Sequence, residues 1–158
     1  MHRSRAQALG LPCARILATI ERHNAFPDDP IQWRGGWAMD AEALWSQAAL
    51  GPTDMDVVQT YDDYPVISML QFEDLGFCAK DDGAAFIRRN HFAPGGNLRH
   101  NTGGGQLSCG QAGAAGGFLG VVEALRQLAA DAHHALVSGF GMINYDRGLC
   151  TAAAVLAR

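Results

Sequence analysis

A chain of 158 residues with 48% apolar and 18% charged residues has the balance of one soluble globular domain with its own core. Its net charge of -4 supplies no basic stripe to neutralise phosphates, and no apolar run approaches the ~20 residues of a membrane span, so nucleic-acid binding and bilayer crossing are both disfavoured. Cys13, Cys78, Cys109 and Cys150 are scattered without a CxxC pair, which reads as reduced thiols in a cytoplasmic protein and not as a disulfide frame or a zinc site.

Residues 1–10 read as the end of a helix stopped by Gly10 and Pro12, too short and polar for a signal segment. Ala14 to Ile20 is a short apolar run suited to a buried strand. Pro27, Pro30, Gly35 and Gly36 make residues 24–37 a loop, with Trp33 and Trp37 packing it down or facing a neighbouring subunit. Asp40 is placed to cap a helix over 41–50. Asp56 to Thr60 predicts a second strand running into Tyr61-Asp62-Asp63-Tyr64. Pro65 then opens a helix to about Leu75. Residues 79–101 read as an irregular insertion.

A long helix is expected from about Ala112 to Ala129. Its uncharged first half should be buried, and Glu123, Arg126 and Gln127 should form a wet face opposite Val122, Leu125 and Leu128. Two strand-like runs, 135–138 and 151–156, flank a loop holding Gly139, Gly141 and Gly148, enough to fold them antiparallel. The element order predicts a layered α/β domain spanning 1–158.

Three segments are candidates for chemistry. Polar residues at the carboxyl end of a strand, Tyr61 to Tyr64, lie where open α/β sheets bind ligands; helix capping is the plainer alternative. Ten of the 19 glycines fall between Gly95 and Gly120. The loop from Asn101 to Gly117 offers unpaired N–H groups to an oxyanion or phosphate, or else permits tight helix packing. It has neither P-loop nor GxGxxG spacing. The segment Ser138 to Gly148 is a long loop of the functional kind, or an ordinary hairpin. The six histidines have no ligand partners at metal-site spacing, so no metal is expected.

In order and spacing, these three blocks resemble the C-terminal half of the thiolase superfamily, nearest the thiolase-like branch related to sterol-carrier-protein thiolases. Asp54 to Tyr64 is similar to the family's D-x-D-φ-φ-E-x-N-E-A-F strand end. Asn101 to Gly117 resembles its N-x-x-G-G…G-H-P-x-G-A-T-G segment, and Ser138-Gly139-Phe140-Gly141 its closing glycine-rich loop. The resemblance covers about residues 10–158 and implies a five-stranded mixed sheet with helices on both faces.

It also implies departures. No cysteine matches the family's nucleophile, which belongs to an N-terminal half; Cys109 and Cys150 are expected as buried thiols. Gln111 stands at the family's histidine, Tyr61 at its asparagine, and Ser138 or a neighbour at its acid/base cysteine. An amide still donates to an oxyanion but does not exchange protons near neutral pH.

The function implied is a thiolase-like acyltransferase domain acting on a coenzyme A thioester as substrate, with no permanently bound cofactor. Tyr61, Gln111 and Ser138 would be its catalytic residues, and Gly110, Gly113, Gly139 and Gly141 its backbone donors. One alternative is a retro-aldolase on a β-hydroxyacyl-CoA using Tyr61, as in thiolase-like aldolases of steroid side-chain degradation. Another is a non-enzymatic half-domain that binds CoA esters or stabilises a partner. Expected partners are a thiolase N-terminal half or homologous subunit, in a homo- or hetero-oligomer, and an OB-fold acyl-CoA-associated protein. Alone, such a half should expose apolar surface and self-associate.

Overall fold

The computed structural model describes residues 2–111, 113–144 and 147–158, without the side chains of Arg3 and Ala114. A short helix α1 (Arg3–Ala8) precedes edge strand β1 (Arg15–His23), then α2 (Trp37–Ala48), β2 (Val57–Gln59), α3 (Pro65–Asp74), α4 (Gly83–Arg89) and β3 (Arg99–His100). The chain continues through α5 (Gly105–Cys109), α6 (Gly117–Ala130), β4 (His134–Asn144) and β5 (Arg147–Ala157). The strands form one five-stranded sheet, ordered β1-β5-β4-β2-β3. Both pairings of β5 are antiparallel and both pairings of β2 are parallel, so the sheet is mixed, with helices on both faces. No described helix is long and apolar enough to cross a membrane.

Alternation along the strands divides the core in two. Val58, Leu136, Phe140, Ala153 and Val155 face α2 and α3, where they meet Trp37, Leu44, Phe72 and Leu75. Val57, Ala135, Val137 and Leu156 face α6 and pack on Ala124, Leu128 and Ala132. Each fully buried Val or Leu in these layers contributes about 1.5–3 kcal/mol relative to exposure. Among the elements of the sheet, α6 packs on β2 and β4. On that same face, Thr19, Glu21, Cys150, Ala152 and Ala154 of β1 and β5 are left partly or fully exposed.

Several expectations change in the folded chain. α2 begins at Trp37, with Gly36 at its cap, and Asp40 lies in its first turn, bound to Arg22 at 2.9 Å. The insertion contains α4, because Phe86 is drawn into an aromatic cluster with Phe72, Phe77 and Phe92. The expected 138–148 loop is mostly strand: β4 runs to Asn144 and β5 restarts at Arg147, pairing Gly139 with Ala152 and Gly141 with Cys150. Tyr145 and Asp146 of that loop lie outside the described residues.

The long helix starts at Gly117, after α5 and a 3-10 turn at Gly113–Ala115. Ala112, its expected start, also lies outside the described residues. Its faces follow the expected pattern at Leu128, which is buried, and at Arg126, which is exposed, but not at Glu123, Val122 and Leu125. Glu123 is buried because Thr102 Oγ1, Gln127 Nε2 and the Arg126 guanidinium all donate to its carboxylate. Those bonds hold the carboxyl below its ordinary pKa despite burial. Phe118, Val122 and Leu125 are instead exposed, at 68%, 55% and 43%. Their i, i+4, i+7 spacing makes one apolar stripe on the helix.

Candidate active site

Tyr61 leaves the carboxyl end of β2, and two side-chain amides continue the strand's pairing past its last residue. The Thr60 N–H donates to Asn101 Oδ1 at 2.9 Å and its carbonyl accepts from Asn101 Nδ2 at 3.1 Å. Gln71 of α3 does the same for Tyr61: its Oε1 accepts the Tyr61 N–H at 3.0 Å and its Nε2 donates to the Tyr61 carbonyl at 2.8 Å. Gln71 is fully buried and also donates to the Ile67 carbonyl, so the clamp is satisfied on every side used. Asp62, also buried, accepts from the Gln106 N–H at 2.7 Å and so ties α5 to the end of β2. Glycine is required at 105: its φ is +60°, and a Cβ there would overlap the Asp62 carboxylate.

The Tyr61 ring packs against Phe140 with centroids 5.7 Å apart. Its hydroxyl donates to Asp63 Oδ2 at 3.2 Å and accepts from Gln111 Nε2 at 3.1 Å. Burial, chiefly, pushes the phenol above its ordinary pKa, while the Gln111 bond opposes the shift and the Asp63 charge adds to it. At neutral pH this oxygen therefore carries its proton.

Tyr61 and Gln111 are thus brought together at a cavity of about 740 Å³ between α6, the glycine-rich turn and β4. Ser138 also borders this cavity, but its buried side chain turns to the α3 face, where its Oγ donates to Gln71 Oε1 at 2.6 Å. Strand alternation sends residue 138 to the α3 face, where it braces the clamp behind Tyr61. Gly113, Gly139 and Gly141 line the cavity. The Gly110 N–H is committed to the Gln106 carbonyl at 3.0 Å. Cys109 is exposed on the cavity wall, not buried, with its Sγ donating to the Gly103 carbonyl at 2.6 Å. Cys150 is half-buried.

Two further glutamines at the cavity carry no signal in the sequence. Gln59 Nε2 and Gln106 Oε1 are buried without a hydrogen-bond partner among the described residues, and both residues line the cavity. Gly120 leaves space beside Gln59, whose Cβ would be 3.1 Å from any side chain placed there. A buried orphan amide costs about 1–3 kcal/mol unless water or a ligand satisfies it. Nothing in a lone Gln within an apolar strand signals this; only the approach of α6 does.

Comparison with known proteins matches this fold. The sequence profile of the family described as Thiolase C-terminal domain-like matches residues 23–155. The chain belongs to that family. It is 40% identical over 85 residues to the 17-hydroxy-3-oxo-4-pregnene-20-carboxyl-CoA lyase of Mycobacterium tuberculosis, covering 54% of this chain and 21% of that one. It is 30% identical over 116 residues to the benzoylsuccinyl-CoA thiolase subunit BbsB of Thauera aromatica, covering 72% of this chain and 30% of that one. Among solved structures, the Ltp2-ChsH2(DUF35) aldolase superposes with a TM-score of 0.77 at 25% identity, over 92% of this chain and 40% of that chain. The chain therefore spans between about a fifth and a third of the length of these two curated relatives.

Proposed function

We propose that this chain supplies the C-terminal half of a thiolase-fold enzyme acting on acyl-CoA thioesters, and that its reaction is retro-aldol cleavage of a β-hydroxyacyl-CoA. The observation that carries this reading is the contact between Tyr61 Oη and Gln111 Nε2 at the cavity mouth. Tyrosine and glutamine occupy the positions where the family pattern has asparagine and histidine. Retro-aldol cleavage needs the β-hydroxyl proton removed, the Cα–Cβ bond broken, and the electron pair received on a thioester enolate. It needs no thiol nucleophile.

Tyr61, held as a phenol, serves as a relay. It accepts the substrate hydroxyl proton as its own proton passes to Asp63, its hydrogen-bond acceptor. The same proton returns through Tyr61 to the enolate carbon after the ketone departs. Gln111 Nε2 has two donor hydrogens; one orients Tyr61 Oη and the other is available to the enolate oxygen. Similarity to a CoA lyase and to a solved aldolase supports the same chemistry.

The acyltransferase reading stands second, supported by the match to the thiolase subunit. Its nucleophile would come from the other half. In both readings a thiolase N-terminal half or homologous subunit covers the exposed stripe of Phe118, Val122 and Leu125, and an OB-fold protein presents the acyl-CoA. A cytoplasmic location is proposed with them, supported by four unbridged thiols.

The test is turnover in the assembled complex. Tyr61→Phe should lower the rate of ketone release by about 10²–10⁴-fold, the range of a lost acid–base group. Intact-mass analysis should show no acyl-enzyme. Unchanged turnover in the variant removes Tyr61 from the chemistry, and an acyl-enzyme adduct turns the assignment to acyl transfer.

A further inference from the structure

We propose that Glu21, His23 and Cys150 form a binding site for a divalent cation of the zinc class, on the exposed α6-side face of the β1–β5 pair. Glu21 and His23 are two residues apart on β1, so their side chains leave the same face of the strand. His23 is paired in register with Cys150 of β5. The three therefore project side by side, although Cys150 is 127 residues from His23 in the chain.

Glu21 Oε1 lies 2.6 Å from His23 Nε2, and Cys150 Sγ lies 3.8 Å from the same nitrogen. All three donor atoms fall within 4.8 Å of one another. Donors around a tetrahedral zinc ion, with bonds of about 2.0–2.3 Å, stand roughly 3.3–3.8 Å apart. Small side-chain rotations bring this set to that spacing.

The ligand types decide the class of ion. One thiolate, one imidazole and one carboxylate suit zinc and its neighbours among the transition metals. Calcium requires six to eight oxygen donors, which this group does not offer. Three protein ligands leave a fourth position for water or a further group. The scaffold is held beneath them: β1 and β5 stay paired through His23, and the Asn24 N–H donates to the Leu149 carbonyl at 2.8 Å just beyond. The neighbouring cation does not compete, because Arg22 lies on the other face of β1 and is bound to Asp40. Cys150 releases its thiol proton on binding, and the thiolate forms the metal–sulfur bond.

The experiment uses the full chain, reduced and metal-stripped, titrated with Co²⁺ as a spectroscopic probe and then with Zn²⁺ against a chelating dye. One equivalent should bind. Bound Co²⁺ should show a thiolate-to-metal charge-transfer band that Zn²⁺ abolishes. Cys150→Ser should remove that band, and His23→Gln should weaken Zn²⁺ binding by about tenfold or more, consistent with the cost of disturbing a ligand set. Cys109→Ser should leave both signals unchanged. All three side chains are at least partly exposed, so circular dichroism of the variants should match the parent. Binding that survives Cys150→Ser, or no saturable binding at micromolar metal, overturns the site and leaves Glu21 and His23 as a surface hydrogen bond.

Discussion

Lowering the pH from 7 to 5 should cost this fold about 2 kcal/mol through one imidazole, that of His100. Its Nε2 lies 2.7 Å from Thr60 Oγ1, which also meets the Ser68 hydroxyl, and its ring stands edge-on to Phe72 and Phe92. Burial in this aromatic pocket pushes its pKa down to about 4, with the Asp62 charge only partly opposing the shift. The unfolded chain titrates the same ring near 6.5.

Below about 6.5 the unfolded state binds a proton that the folded state refuses, so stability falls as pH falls, and the loss stops growing near 4. The stabilisation lost is about 2 kcal/mol by pH 5 and about 3 by pH 4, taking 1.36 kcal/mol per pKa unit. Urea unfolding followed by fluorescence of the buried Trp37 measures it, at pH 7, 6 and 5. Other groups also titrate, so the decisive quantity is the difference from His100→Gln, which should lose about 2 kcal/mol less across that range. Equal slopes in the two proteins would falsify the assignment of the pH dependence to His100.

Two predictions follow from packing. Gln71→Leu keeps the side-chain size but strips partners from Tyr61 N–H, the Tyr61 carbonyl and Ser138 Oγ. It should destabilise by at least about 2 kcal/mol, since each buried orphan costs about 1–3; a loss under about 1 kcal/mol in urea unfolding would show that the clamp is dispensable. The apolar stripe on α6 should drive self-association of the isolated chain. Light scattering after size exclusion should therefore show a larger species that Phe118→Glu with Val122→Glu returns toward monomer. A monomer at high concentration in the unaltered protein contradicts the partner-covered face.

Local patterns carried much of this architecture. β-branched apolar runs marked β1 and β2, although β1 is a largely exposed edge strand and not the buried one expected; Pro65 marked the first turn of α3, and the two C-terminal runs marked an antiparallel pair. The order of polar and glycine-rich blocks pointed to a thiolase-like C-terminal half. It also singled out Tyr61 and Gln111, which stand fifty positions apart and share a hydrogen bond. Other features depend on which surfaces meet.

Part of the insertion became helix α4 because Phe72 and Phe92 receive Phe86. The segment after Ser138 became strand because β5 supplies a neighbour for it, and the same alternation commits the Ser138 hydroxyl to Gln71. Glu123 is buried and Val122 exposed, against helical periodicity, because Thr102 and Gln127 satisfy the carboxylate while nothing in the described chain covers the valine. Gln71, Asn101 and the cross-strand group of Glu21, His23 and Cys150 are silent in the sequence for one reason. Their roles consist of contacts between residues far apart in the chain, and a hydrogen bond or a metal ligand set is defined by distance in space, which only the folded sheet determines.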